Sequence, residues 1–222
     1  STDNGATWQP TVNLSNNPGD SFFPQVFVSG SNVYVSWLQL NSDDELPNIF
    51  FRRSTDNGAS WGAKIKIFSS GTVGTLSPEY FQLAASGSNV YVIWKEDGDI
   101  ISFRRSTDNG ATWKSIFNLS TNAKFNTEVG LAVSGSNVYA AWTSSGKDAI
   151  FTRSTNNGST WGPDVNLSGD SPPALCPRIA ASGSNVYMVW EQSINGLGCL
   201  GSPDDIIFRR STDNYLGIVE HV

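Results

Sequence analysis

An all-β propeller of four four-stranded antiparallel blades, closed by its N-terminal strand, is the architecture predicted for these 222 residues. Three repeated strings predict it. The first, motif A, occurs as STDNGATW at 1–8, STDNGASW at 54–61, STDNGATW at 106–113 and STNNGSTW at 154–161, and begins again as STDN at 211–214. The second, motif B, is SGSNVY-x-x-W and starts at residues 29, 86, 134 and 182. The third, F-[RT]-R-S, runs directly into the last four copies of motif A. A spacing of 48 to 57 residues makes the chain four copies of one unit.

Each unit reads as four short strands. In the first, Gln25 to Ser29 begins the unit, and Asn32 to Trp37, Ile49 to Ser54 and Ala63 to Phe68 follow. These segments are rich in Val, Ile, Phe and Tyr and are separated by Gly, Asn, Asp, Ser and Pro. The SGSN of motif B is a tight turn between first and second strands, with Gly30 free to take positive φ. Motif A is the next turn: Asp56 is placed to accept hydrogen bonds from turn amides, Gly58 to take a conformation closed to other residues, and Trp61 to fold back onto the sheet edge. Asn156 replaces Asp in the fourth copy and can make the same kind of turn. No window carries a helical period.

Four-stranded units repeated radially build a propeller. The third strand of the last unit, Ile206 to Ser211, has no fourth strand after it, because the repeat gives way to YLGIVEHV. Residues 6 to 14 are therefore expected to supply that outer strand and close a single domain over 1–214, with 215–222 as a tail. A partial arc completed by another copy, and hence a homo-oligomer, is the alternative.

Composition narrows the function. The net charge of −6, with no basic cluster larger than a pair, disfavours nucleic acid and anionic membranes. No stretch is apolar enough to span a bilayer, so membrane insertion is not expected. The single His, His221, lies one residue from the C-terminus, which removes Ser-His-Asp, Cys-His and multi-His zinc chemistry. No organic cofactor is implied. Four N-x-S sequons open at Asn13, Asn118, Asn157 and Asn166, and three belong to a repeated NLS that reads as a strand end.

Motif A resembles the Asp-box repeat of bacterial and viral-type sialidases and related propellers, and the resemblance runs the length of the chain. It implies the propeller fold, and it implies that Asp3, Asp56, Asp108 and Asp213 are structural, since in that family the turn lies away from the catalytic face. The resemblance also implies three arginines gripping a carboxylate, a Tyr nucleophile paired with Glu, and an Asp acid/base. Seven of the eight Arg (52, 53, 104, 105, 153, 209 and 210) sit in the repeated third strand, which points to packing between blades. Arg178 alone lies outside the pattern. Tyr80 is also outside it, beside Glu79, and Glu128 stands at the matching place one blade on. The candidate catalytic positions are thus Tyr80, Glu79, Glu128 and Arg178.

The loops between blades and between second and third strands hold fourteen of the twenty acids against four basic residues. Such a face repels anionic sugars and attracts cations. Asp43 and Asp44, Glu96, Asp97 and Asp99, and Asp204 and Asp205 are clustered oxygen ligands of the kind calcium or another divalent cation uses. Cys176 and Cys199 project from this face of the last blade, and a disulfide between them is expected to pin the 191–205 loop. An extracellular or cell-surface location follows, with any signal peptide absent from these residues.

The eight Trp are two sets of four: Trp8, Trp61, Trp113 and Trp161 end motif A, and Trp37, Trp94, Trp142 and Trp190 end motif B. The second set lies nearer the acidic face and, with Gln25 and Gln82 of the first strands, supplies candidate ligand contacts. The function expected is a propeller presenting an acidic, calcium-competent face to a carbohydrate or protein ligand. A sialidase-like glycoside hydrolase, and a metal-dependent hydrolase of esters, lactones or phosphoesters, are the two enzymatic alternatives.

Overall fold

The computed structural model describes residues 3–40, 47–69, 81–96, 100–121, 128–169, 172–193 and 205–211. Among the described residues fifteen strands form four antiparallel sheets. Blade 1 contains β1 (Ser21–Ser29), β2 (Asn32–Leu40), β3 (Pro47–Ser54) and β4 (Ile65–Ser69). Blade 2 contains β5 (Phe81–Ser86), β6 (Asn89–Glu96), β7 (Ile100–Ser106) and β8 (Phe117–Ser120). Blade 3 contains β9 (Val129–Ser134), β10 (Asn137–Thr143), β11 (Ala149–Ser154) and β12 (Val165–Asn166). Blade 4 contains β13 (Ala174–Ser182), β14 (Asn185–Gln192) and β15 (Asp205–Ser211). In every sheet the strands lie in chain order, as hairpin pairing of consecutive segments requires.

Motif B sets the register. Ser29 pairs with Asn32, Ser86 with Asn89, Ser134 with Asn137 and Ser182 with Asn185, and the Gly of each turn has φ near +60°. The tyrosine of each motif B stacks on the phenylalanine of the third strand: Tyr34 on Phe51, Tyr91 on Phe103, Tyr139 on Phe151 and Tyr187 on Phe208, at 6.0 to 6.4 Å. Burial raises the Tyr91 hydroxyl to about 12 and moves Tyr34 and Tyr139 the same way. β1 and β13 run three residues longer than β5 and β9, and each carries a bulge before its motif B turn, with Phe23 and Cys176 at φ 53° ahead of a proline.

Hydrophobic clusters occupy the seams between blades. Val92, Trp94 and Leu83 of blade 2 bury against Tyr34, Ile49 and Phe51 of blade 1, and the next two clusters repeat this between blades 2 and 3 and between 3 and 4. Polar contacts add to each seam. Asn109 Oδ1 accepts from Asn32 Nδ2 and the Tyr34 hydroxyl, each at 3.3 Å, and Asn157 Oδ1 accepts from Asn89 Nδ2 and Tyr91 at 3.3 and 3.4 Å. The motif A tryptophan of one blade meets the preceding blade's ring edge-on, Trp113 on Phe51 at 5.1 Å and Trp161 on Phe103 at 5.0 Å.

The first strands touch in succession, β1 on β5, β5 on β9 and β9 on β13, and no comparable packing joins β13 to β1. The described residues form an open arc. Closure by residues 6 to 14 is not seen: they form no strand, Trp8 is 80% exposed, and β15 pairs with β14 alone among the described residues. Arg52 Nη1 donates to Leu14 O at 3.1 Å and Lys64 Nζ to Ser15 O at 3.1 Å, which ties the segment to the flank of blade 1.

Candidate functional site

The sheets have two ends. At one end lie the motif B turns with the motif A turns beside them, the amides of Asn57, Asn109 and Asn157 donating to the carbonyls of Ser31, Ser88 and Ser136 at 2.8 Å. Asp108 Oδ1 accepts from the Thr112 amide at 2.9 Å and from Ser106 Oγ at 2.7 Å, while Ser106 Oγ accepts from the Gly110 amide at 2.9 Å. Asp56 and Asp3 make the same contacts to Ser60 and Thr7. Hydrogen bonds from Ser54 and then Ser60 hold the Asp56 carboxyl down at about 2, and those from Thr112 and Ser106 lower Asp108 as well. Asn156 keeps the geometry with its amide, Nδ2 donating to Thr160 Oγ1 at 2.8 Å. These side chains are spent on the turn, as expected for a structural motif.

Four of the seven repeated arginines are likewise spent. Arg52 and Arg104 donate to Leu14 O and Ile67 O, and Arg53 and Arg105 reach the carbonyls of Asn109 and Asn157 in the next blade. Arg53, Arg104 and Arg105 anchor backbone across a seam, and Arg52 anchors the segment that precedes β1.

The opposite end carries the chain connections between second and third strands and between blades. Arg178 and Glu128 form an ion pair there, bridging blades 4 and 3, and the charge of Glu191 acts on the same guanidinium. Burial alone would make Arg178 less basic, and Glu191 opposes that. The Arg178 side chain is 51% exposed and that of Glu128 12%.

Register explains why Arg178 stands apart. It lies four residues before motif B, the place held by Gln25 in blade 1 and Gln82 in blade 2. Gln25 Nε2 donates to Phe81 O at 2.6 Å and its Oε1 accepts from the Leu83 amide at 2.8 Å. Gln82 Oε1 accepts from the Leu131 amide at 2.8 Å. Both glutamines, expected as ligand contacts, clamp the next blade's first strand. In blade 3 the place is Gly130, where a Cβ would lie 3.0 Å from Ile179 Cγ2. In blade 4 the described residues offer no following strand to clamp, and the long side chain turns to Glu128.

The four motif B tryptophans are also placed differently from expectation. Trp37, Trp94, Trp142 and Trp190 are at most 3% exposed, so their ring faces meet protein and leave none for stacking a sugar. Trp94 Nε1 donates to Glu96 Oε1 at 2.9 Å, which occupies one of the expected cation ligands. Asp205 lies at the start of β15 opposite Gln192. Among the described residues no three acidic, Cys or His side chains converge as a metal-binding group. Tyr80, Glu79, Asp43, Asp44, Asp97, Asp99, Asp204 and Cys199 lie outside the described residues. Cys176 is buried at its bulge, and no described cysteine is a free thiol.

Sequence reasoning grouped Glu128 with Arg178, and the structure brings them together. Glu191 was legible only as one of many loop acids. Its signal is its position directly after Trp190, opposite Leu175 of the bulged first strand.

No family model matches the sequence, and no curated protein does. Solved structures do. The chain is similar to the intramolecular trans-sialidase from Ruminococcus gnavus, with a TM-score of 0.62 and 16% identity over 99% of this chain and 50% of that one. It is similar to the NanB sialidase from Streptococcus pneumoniae, with a TM-score of 0.54 and 15% identity over 78% of this chain and 28% of that one. It is also similar to the Aleuria aurantia lectin, with a TM-score of 0.55 and 14% identity over 77% of this chain and 53% of that one. The fold is thus the propeller architecture found in sialidases and in a lectin. The chain spans about a quarter to a half of the length of these proteins.

Proposed function

We propose that this chain is an extracellular carbohydrate-binding propeller of the Asp-box kind, which offers a neutral sugar the end of the arc that carries Arg178. The observation that carries the reading is the half-exposed Arg178 guanidinium with Glu128 and Glu191 around it. A guanidinium fork and flanking carboxylates supply the donors and acceptors that vicinal hydroxyls need. A carboxylate-bearing sugar is disfavoured, because the other described arginines with resolved partners are committed to backbone carbonyls and the loop acids repel anions. The carbohydrate class is supported by the neighbouring folds, two sialidases and a lectin solved with α-methyl-L-fucoside.

Calorimetric titration with methyl glycosides, α-methyl-L-fucoside among them, tests this reading. Binding of a neutral sugar that weakens about tenfold or more in Arg178→Ala is the expected result, since a charge-assisted hydrogen bond contributes on the order of 1.5–3 kcal/mol. Absence of heat with every neutral glycan defeats it. The sialidase neighbours favour a second reading, a glycoside hydrolase using Tyr80 with Glu79 or Glu128. Metal-independent release from an aryl sialoside, lost in Tyr80→Phe, is its signature. A divalent cation held by the 43–45 and 96–99 loops, and a Cys176–Cys199 bridge beside Arg178, belong to the same proposal. A rise in melting temperature with calcium tests the first, and a mass shift on reduction and alkylation tests the second.

A further inference from the structure

We propose that Asn118 and Asn166 are acceptor sites for N-linked glycans, and that these glycans cover the outer edges of blades 2 and 3. Both asparagines open an Asn-Leu-Ser sequon, and both blades have a neighbour on each side. Transfer to such a site joins Nδ2 to the anomeric carbon of a lipid-phosphate-linked oligosaccharide, breaks the bond from that carbon to phosphate, and releases the lipid phosphate and one amide proton. This rests on the extracellular part of the proposed function, since glycan donors of this class meet a chain during export. The folded protein accommodates the product only where the amide has room for a bulky substituent.

Register places the two asparagines at one position. Asn118 pairs with Ser102 in β8 and Asn166 with Ile150 in β12, as Lys66 pairs with Phe50 in β4. Among the described residues β4, β8 and β12 are the last strands of their sheets. Alternation along the strand sends Leu119 and Leu167 to the clusters between blades, while Asn118 and Asn166 are exposed. Their hydrogen bonds end on Oδ1. Ser102 Oγ donates to Asn118 at 3.3 Å, and the Ser168 amide, Ser168 Oγ and the Gly169 amide donate to Asn166 at 3.1, 3.1 and 2.9 Å. Neither set uses Nδ2, the atom that reacts.

The sequon at Asn157 is the opposite case. Asn157 lies in a motif A turn at φ 57°, its Oδ1 accepts from Asn89 Nδ2 and the Tyr91 hydroxyl of blade 2, and its carbonyl accepts from Arg105 at 2.9 Å. A glycan on that amide would part blades 2 and 3, so this site is expected to stay bare.

The edge of blade 2 supplies an independent reason. Outer strands are kept from pairing with other chains by charge or bulk. Blade 1 carries the exposed Lys66 at this position, and blade 3 carries Asp164 two residues ahead of Asn166. In blade 2 the place of Asp164 is taken by Ile116, 43% exposed, with Phe117 beside it, 49% exposed. A glycan at Asn118 brings to this edge the bulk and polarity that it otherwise lacks.

The 222-residue chain, secreted behind a cleavable leader from a eukaryotic cell line that N-glycosylates, tests the proposal. Peptide mapping after glycan removal by peptide-N-glycosidase in heavy-oxygen water, which leaves a labelled Asp at each occupied site, is expected to mark Asn118 and Asn166 and to leave Asn157 unchanged. The intact mass is expected to fall by one glycan in Asn118→Gln or Asn166→Gln and by two in the double variant. Asn118→Gln is also expected to aggregate on heating at a lower temperature than the wild type. Should a Gln variant lose its fold, Ser120→Ala or Ser168→Ala removes the same sequon with the asparagine kept. An unlabelled Asn118 or Asn166 overturns the proposal, and so does a labelled Asn157 in folded protein, which would mean that the seam does not decide occupancy. Equal aggregation temperatures overturn the covering role. The leader imposes export, so bare sites count against the sites and not against an extracellular location. Titration of the same protein with methyl glycosides reads the sugar site separately: occupied sequons without sugar heat support the present proposal alone, and bare sequons with sugar heat overturn it alone.

Discussion

Asp56 and Asp108 show how a surface carboxylate ties stability to acidity. Each accepts several hydrogen bonds in the folded turn, and its folded-state proton affinity is depressed, for Asp56 to about 2. An Asp in the unfolded chain protonates near about 4. The contribution is complete above that value and disappears as the pH falls toward 2, so the melting temperature is expected to fall across this window, modestly because solvent screens an exposed carboxylate. The double variant Asp56→Asn, Asp108→Asn, built on the amide geometry of Asn156, should stay folded at neutral pH and flatten the acid limb in thermal melts. Glycine gives a second residue-level test. Gly110→Ala adds a Cβ against Phe51 at φ +80° and is expected to cost about 3 kcal/mol, whereas Gly58→Ala meets open space at φ +87° and should cost about 1 kcal/mol. Urea denaturation compares them directly.

At the level of strands, the seam glutamines matter more than their exposure suggests. Gln82→Ala removes the acceptor of the Leu131 amide, and a buried donor left unpaired costs about 1–3 kcal/mol. Equilibrium unfolding should show that loss with no change in sugar affinity, which separates a clamp from a ligand contact. The same residues show where sequence is legible and where it is not. Motifs A and B marked every hairpin, because turns need particular residues at fixed offsets. They did not distinguish Gln82 from a ligand-facing residue, since a first-strand side chain aimed at a neighbouring blade and one aimed at solvent follow the same alternation. The motif B tryptophans were misplaced for a related reason: their count reported blades, but their depth depended on strands that register alone brings over them. Arg178 was legible because it broke the pattern.

For the molecule as a whole, position along the arc decides what a substitution costs. Ile101→Ala empties a buried site and is expected to cost about 3 kcal/mol. Ile206→Ala, at the same place in blade 4, removes an exposed side chain and should cost about 0.5 kcal/mol or less in dilute solution. Denaturant titration of both variants makes the comparison. Closure was the part of the architecture that sequence could not supply. Repeats state what joins a blade to the next, and nothing in an identical seam counts how many blades follow.

That indifference of the seam to its position has a consequence for how such a chain can change its length. The clamp from Gln25 ends on Phe81 and Leu83, ahead of motif B, while the contacts of Asn32 and Tyr34 end on Asn109, whose counterpart one blade later is Asn157. Removing Ser86 to Val133 would join Ala85 to Ser134 in register and hand blade 1 a neighbour with the same turn, ring and amide in the same places. Gain or loss of a whole repeat then preserves the spacing of turn, ring and amide along a seam, and blade number becomes a quantity that recombination, rather than point mutation, can adjust, with Gln82 brought to the place of Gly130 as the one position to be refitted.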